Sequence, residues 1–149
     1  MDVLLVANPP ARSGKNRERI DQAIDEFLAR GASATLVTTE PEGRTIPKVV
    51  AEIDAGRGDV VVAMGGDGTF REVAAAVVGA TRKLPMGMWP AGTANDQGKS
   101  FGISSRREAL PENVGIVLDG VVRPIDAGVV EKRVGGEVTR RDLFFDSAG

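Results

Sequence analysis

The alternation of two hydrophobic periods between Val3 and Asp96 restricts the fold of this chain more than any other feature. Val3-Leu4-Leu5-Val6-Ala7 is a short continuous apolar run, as expected of a strand covered on both faces. Ile20, Ala23, Ile24, Phe27 and Leu28 then fall on one helical stripe, and Gly31 supplies a helix stop. The cycle repeats with a strand at Ala34–Thr38 and a helix stripe at Ile46, Val49, Val50 and Ile53 that ends at Gly56. A strand at Asp59–Met64 precedes a stripe at Phe70, Val73, Ala74, Val77 and Val78; a fourth strand at Met86–Trp89 leads into a short helix near Asp96. Strands separated by helices pair in parallel through right-handed crossovers, so the expected class is α/β: an open, mostly parallel sheet with helices on both faces.

Beyond residue 104 the pattern changes. Ser105–Asp119 reads as a helix interrupted by Pro111 and ended by Gly120. Three strands are predicted after it, at Val121–Asp126, Val129–Arg133 and Val138–Phe145, with Gly135-Gly136 as a hairpin turn between the last two. The expected organisation is an α/β domain over 1–120 and the first strands of an incomplete β-rich second domain over 121–149. Three strands are too few to bury themselves, and their edges could pair with a second copy, giving a homodimer. A 149-residue chain buries roughly 70% of its extended surface, so neither disulfides nor a structural metal is needed.

Composition narrows the chemistry. With no cysteine and no histidine, zinc sites built from those residues, thiol redox chemistry and a histidine base are excluded. Carboxylates, hydroxyls, backbone amides, Lys, Arg and bound cations remain. The lack of cysteine fits the cytoplasm, and no stretch reads as a signal peptide or a membrane span. A net charge of −2 argues against broad nucleic-acid binding while leaving room for a local basic patch on the inner membrane surface.

Two loops carry the candidate chemistry, both where a strand ends and a helix begins. Gly65-Gly66-Asp67-Gly68-Thr69 has three glycines in four positions, which permit positive φ and let amides approach an anion. Thr69 and Glu72 have capping-box spacing, which would start a helix directly after the glycines and aim its free amides at the loop. Asp67 is either a turn residue bonding nearby amides or a carboxylate whose repulsion of phosphate is relieved by a cation. Pro90-Ala91-Gly92-Thr93-Ala94-Asn95-Asp96 repeats the logic, with Thr93 and Asp96 at T-x-x-D spacing. Two such loops on neighbouring strand ends imply a shared phosphate site.

Two resemblances fail. Five residues separate Gly92 from Gly98 where a P-loop requires four, and Lys99 would fall inside the helix. The dinucleotide fingerprint begun by Gly66 and Gly68 meets Arg71 at its third glycine position. Asn8-Pro9-Pro10-Ala11-Arg12-Ser13-Gly14-Lys15 is a further strand-to-helix loop, readable as a basic lid or as a plain connection, and Thr38-Thr39 could offer hydroxyls.

With these pieces in place, the sequence resembles the diacylglycerol kinase catalytic domain family, which includes sphingosine, ceramide and bacterial lipid kinases. The match rests on Asn8-Pro9 with Ser13-Gly14-Lys15, Thr38-Thr39, Gly65 through Glu72, Pro90 through Asp96, Phe101-Gly102-Ile103 and Pro124-Ile125-Asp126-Ala127-Gly128. Gly-Gly-Asp-Gly-Thr alone is shared with NAD kinases and phosphofructokinases; the second loop is more specific to lipid kinases. The resemblance implies an ATP- and Mg2+-dependent transfer of the γ-phosphoryl group to a lipid hydroxyl at a membrane surface. It implies that Gly65, Gly66, Gly68 and Thr69 hold phosphates, that Asn8, Thr38, Thr93 and Asn95 line the nucleotide cleft, and that Asp67, Asp96 and Asp126 organise magnesium, with Asp67 and Asp96 catalytic. Two carboxylates about 4 Å apart at an effective dielectric of about 20 repel by about 4 kcal/mol, so a cation or a proton is expected between such a pair, and magnesium suits all-oxygen ligands.

The departures are Arg71, where the family has Asn, and Gln97-Gly98 in place of a more apolar pair, where glycine should weaken the short helix by about 1 kcal/mol. Family members run to about twice this length, and their second domain carries the general base. The resemblance therefore implies a chain holding the nucleotide half without that base. The alternatives are an NAD kinase-like enzyme and a non-catalytic nucleotide-binding module.

Overall fold

The computed structural model describes residues 1–11 and 15–145. The Arg12-Ser13-Gly14 portion of the first loop and the terminal Ser147–Gly149 lie outside the described residues. In chain order the elements are β1 (Asp2–Ala7), α1 (Lys15–Ala29), β2 (Ser33–Thr38), α2 (Thr45–Asp54), β3 (Val60–Gly65), α3 (Asp67–Gly79), β4 (Met86–Pro90), α4 (Asp96–Ser100), α5 (Leu110–Asp119), β5 (Gly128–Val134) and β6 (Glu137–Phe144).

The first four strands form one parallel sheet in the order β2-β1-β3-β4. Ala7 stands opposite both Thr38 and Met64, and Gly65 opposite Pro90, so all four strands end at one level. The chain leaves β1 for β2 on one side and returns past β1 to β3 on the other. That reversal opens a crevice at the carboxyl ends of β1 and β3, the usual ligand position in such sheets.

Strand alternation sends successive side chains to opposite faces. Val3, Leu5, Val60, Val62 and Met64 pack with Ile20, Ala23 and Phe27 of α1 and Val114 of α5. Leu4, Val6, Val61 and Ala63 pack on the other face with Val49 and Ile53 of α2 and Val73 and Ala76 of α3. The continuous apolar runs thus serve two cores at once, each buried Val or Leu contributing about 1.5–3 kcal/mol. Leu28 and Val78, at the margins of their predicted stripes, are exposed by 57% and 54%. Gly31 and Gly56 end their helices with φ of +77° and +83°.

A third cluster joins Phe70, Ala74 and Met88 with Ile103 and Phe145. Phe70 lies 5.7 Å from the Phe101 ring and 5.2 Å, edge-on, from Phe145, which seats the end of the hairpin against α3. β5 and β6 form a separate antiparallel pair, turned at Gly135 (φ +59°) and Gly136 (φ +87°).

Two sequence expectations require correction. Residues 121–127 form no strand: Pro124 lacks a donor, no neighbouring strand pairs with the segment, and every residue in it is exposed. Pro111 does not break a helix. It sits in the first turn of α5, where its missing N–H costs nothing, and the preceding Arg107–Ala109 forms a separate 3-10 turn. Gly120, with φ +66°, ends α5 as expected.

Candidate active site at the carboxyl edge of the sheet

The loop after β3 is tighter than its sequence suggests. Helix α3 begins at Asp67 with Gly66 as its cap, and no side chain caps it. Thr69 therefore lies inside the first turn, and the expected Thr69–Glu72 capping box does not form. The Phe70 amide already donates to the Gly66 carbonyl at 3.0 Å. The amides of Asp67, Gly68 and Thr69 consequently have no intrahelical acceptor and face outward with the positive end of the helix dipole.

The glycines answer to packing, since none of Gly65, Gly66 and Gly68 has positive φ. A side chain at Gly65 would strike Thr69, and one at Gly66 would stand 3.3 Å from Gly92 Cα. A Cβ at Gly92 would overlap Gly66 Cα and come within 3.0 Å of the Gly66 nitrogen. The two loops thus meet backbone to backbone, and Ala91 N donates to Gly65 O at 2.8 Å. Gly68 alone among these faces open space, which leaves room for a ligand.

In the second loop Asn95, not Thr93, precedes α4, and it takes the left-handed conformation (φ 56°). The T-x-x-D cap expected of Thr93 is absent because Asn95 braces the turn. Its Oδ1 accepts from Gly92 N at 2.8 Å and its Nδ2 donates to Gly92 O at 2.9 Å. Asn95 is 7% exposed, whereas Thr93 is exposed. Gly98 has a reason that composition hid: a Cβ there would overlap Pro90, so only glycine lets α4 lie against β4.

Asp67 joins the two loops. Its Oδ1 accepts from the Gln97 amide at 3.0 Å, across 30 residues of sequence. This bond bears out the reading of Asp67 as a turn residue bonding a nearby amide. Asp67, Gly68, Phe70, Arg71, Asp96 and Gln97 line one side of a cavity of about 230 Å3, and Leu143, Phe144 and Phe145 form its apolar wall. Asp96 accepts from Lys99 at 2.9 Å, a pair about 70% exposed and of small energetic weight. Arg71 is exposed and lines this cleft.

Asp126 is exposed, in the irregular 121–127 segment, and does not line the cleft. Among the described residues no three carboxylates converge on one point. Magnesium needs only one or two carboxylates when phosphate and water complete its shell, so Asp67 and Asp96 fit such an ion by donor type.

On the other side of the crevice, Asn8 is exposed, and its carbonyl accepts from Asn16 Nδ2 at 2.7 Å and Ala11 N at 3.2 Å. Thr38 ends β2 beside it. Sequence reasoning missed Lys48, whose Nζ reaches back from α2 to Thr38; nothing in the spacing of the two residues signals that contact. It also missed Gln97, whose contribution is a backbone amide, invisible in side-chain chemistry.

A family model described as the diacylglycerol kinase catalytic domain matches residues 2–130. A diacylglycerol kinase of Bacillus subtilis (strain 168) is 29% identical over 126 residues, covering 85% of this chain and 41% of its own length. A protein named "Probable lipid kinase YegS-like" from Pseudomonas aeruginosa (strain UCBPP-PA14) is 37% identical over 133 residues, covering 89% of this chain and 42% of its own. The crystal structure of a diacylglycerol kinase from Bacillus anthracis str. Sterne superposes with a TM-score of 0.65 at 23% identity, over 85% of this chain and 42% of that one, which speaks to fold alone. This chain therefore spans less than half the length of these relatives.

Proposed function

We propose, from the premise that this chain belongs to the diacylglycerol kinase catalytic domain family, that it forms the nucleotide-binding part of an ATP- and Mg2+-dependent lipid kinase. The observation that carries the reading is the Asp67–Gln97 bond, which fuses the two loops and sets Asp67 and Asp96 along one cleft.

In this reading the outward amides of Asp67, Gly68 and Thr69 receive phosphate oxygens, with the dipole of α3 behind them. Gly65 and Gly66 shape the loop, and Gly68 leaves the approach open. Asn95 keeps the second loop in place, Thr93 presents a hydroxyl from it, and Asn8 and Thr38 border the nucleoside. Magnesium, when bound, neutralises the charge of the transferring group; Asp67 and Asp96 would hold it, and Asp126 would join only by movement of its segment. The wall of Leu143, Phe144 and Phe145 excludes water and offers apolar contact to a lipid. Catalysis of this kind is positioning and charge compensation, with the acceptor hydroxyl in line.

The reading places the protein in the cytoplasm, peripheral to the inner membrane surface, and the described residues contain no helix long and apolar enough to cross a membrane. It also divides the chain into a nucleotide-binding domain over 1–120 and the start of a β-rich domain over 121–149. The test is calorimetric titration of ATP with and without Mg2+, followed by phosphorylation assays with diacylglycerol and other lipid hydroxyls. Mg2+-dependent ATP binding is expected in the native chain, with Asp67→Ala losing at least tenfold in affinity and essentially all transfer to lipid. Unchanged ATP–Mg2+ affinity in that variant would refute the role given to Asp67.

A further inference from the structure

Lys48 makes three hydrogen bonds from one ammonium group. Nζ donates to the Thr38 carbonyl at 3.0 Å, to Thr38 Oγ1 at 2.8 Å and to Glu40 Oε1 at 3.0 Å. An ammonium has three N–H donors, so the group is saturated. The connection that carries these acceptors is itself fixed. The Thr45 hydroxyl, completely buried, accepts from Glu40 N and donates to Glu40 O, both at 3.0 Å.

The arrangement decides what the Thr38 hydroxyl can do. A threonine hydroxyl has one proton and two lone pairs. The cationic donor of Lys48 takes a lone pair and repels the hydroxyl proton, which must turn away from Nζ. No acceptor for that proton occurs among the described residues. Thr38 is half-buried at the end of β2, opposite Ala7, at the mouth of the crevice. The molecule therefore holds a hydroxyl with one lone pair taken by a cation and with its proton still to be given.

We propose that Lys48 is a positioning residue of the nucleotide cleft: it turns the Thr38 proton away from itself, so that Thr38 donates it to an acceptor atom of the bound nucleotide. The inference rests on the reading of this edge as the nucleotide site. It adds a residue from α2, outside both glycine loops, and it favours one chemistry for the contacted atom: a ring nitrogen or an oxygen that accepts the Thr38 proton.

The test is a double-mutant cycle on the full chain, reading ATP affinity by calorimetry in Mg2+ and folding by thermal melting. Thr38→Val is expected to weaken ATP about three- to tenfold, the range of one hydrogen bond. Lys48→Met should weaken it by a similar or smaller factor, and the double variant should lose no more than Thr38→Val alone, because Lys48 acts through that hydroxyl. Thr38→Ser should restore near-native affinity in the presence of Lys48. If Lys48→Met does not fold, Lys48→Gln, which keeps two N–H donors, replaces it and should lose about two- to threefold, a loss that vanishes in the Thr38→Val background; native affinity in Lys48→Gln then overturns the proposal in its place. Native affinity in Lys48→Met, or losses that simply add in the double variant, overturns the proposal. Native affinity in Thr38→Val removes Thr38 from the cleft and the proposal with it. Absence of ATP binding by the unaltered chain defeats the functional reading itself, a result distinct from the other two.

Discussion

A methyl group added at Gly92 would run into the Cα of Gly66, whereas the same methyl at Gly68 would meet only open space. The two substitutions should therefore separate folding from binding. Gly92→Ala is expected to lower stability by about 1–3 kcal/mol, the usual cost of overpacking, and to impair ATP binding as the loops part. Gly68→Ala should melt like the native chain yet bind ATP several-fold more weakly, because its methyl would stand where phosphate approaches the α3 amides. Parallel melting curves and ATP titrations check both, and an equal loss of stability in the two variants would contradict the assignment. Arg71 belongs to the same scale. It lines the cleft and makes no ion pair among the described residues. Arg71→Ala should leave the melting temperature unchanged and weaken ATP more than AMP, measured by competition between the two.

Helix α4 shows why a local rule can point the wrong way. Helix propensity alone says that Gly98→Ala gains about 1 kcal/mol. The contact with Pro90 says otherwise, since the added methyl would overlap the proline ring. A destabilised Gly98→Ala, read by thermal melting, is the expected result. Along the rest of the chain the elements were legible because their signal is periodic: all four parallel strands and helices α1 to α3 lie where the apolar patterns put them. The caps were not legible. Thr69 and Thr93 have the right spacing, but Gly66 and Asn95 occupy the cap positions because the loops must touch, a tertiary demand with no local trace. Val121–Asp126 misled for the complementary reason: strand-like composition without a partner strand. In the hairpin, hydrogen bonds from Arg133 and then Arg141 hold the Glu131 carboxyl below its ordinary range. Its contribution is present above the unfolded carboxylate pKa and is lost as the pH falls through the lowered value. Protection of the β5 and β6 amides against exchange, relative to an unfolded chain at the same pH, should accordingly fall in acid, and only slightly, since Arg133 and Arg141 are mostly exposed and the pairs are screened by water.

Over the whole molecule, a ligand that binds only the folded chain must stabilise it. At Mg2+-ATP about a hundred times above its dissociation constant the gain is about 2.7 kcal/mol, which should appear as a rise of several degrees in melting temperature. The surface also leaves Val121, Val122, Ile125 and Val129 more than half exposed. Apolar area of this kind promotes association. Sedimentation of the 149-residue chain should show concentration-dependent self-association that Val122→Glu with Ile125→Glu suppresses; a strictly monomeric chain at high concentration would argue against a homodimer. Finally, the backbone contact between Gly66 and Gly92 bears on how such a protein can change over time. Segments far apart in the sequence share a seam with no slack, so a side chain acquired at one position has to be answered at the other. Selection therefore acts on the two loops as a single inherited part, and new specificities should arise around them, at positions such as Lys48 and Arg71, more readily than within them.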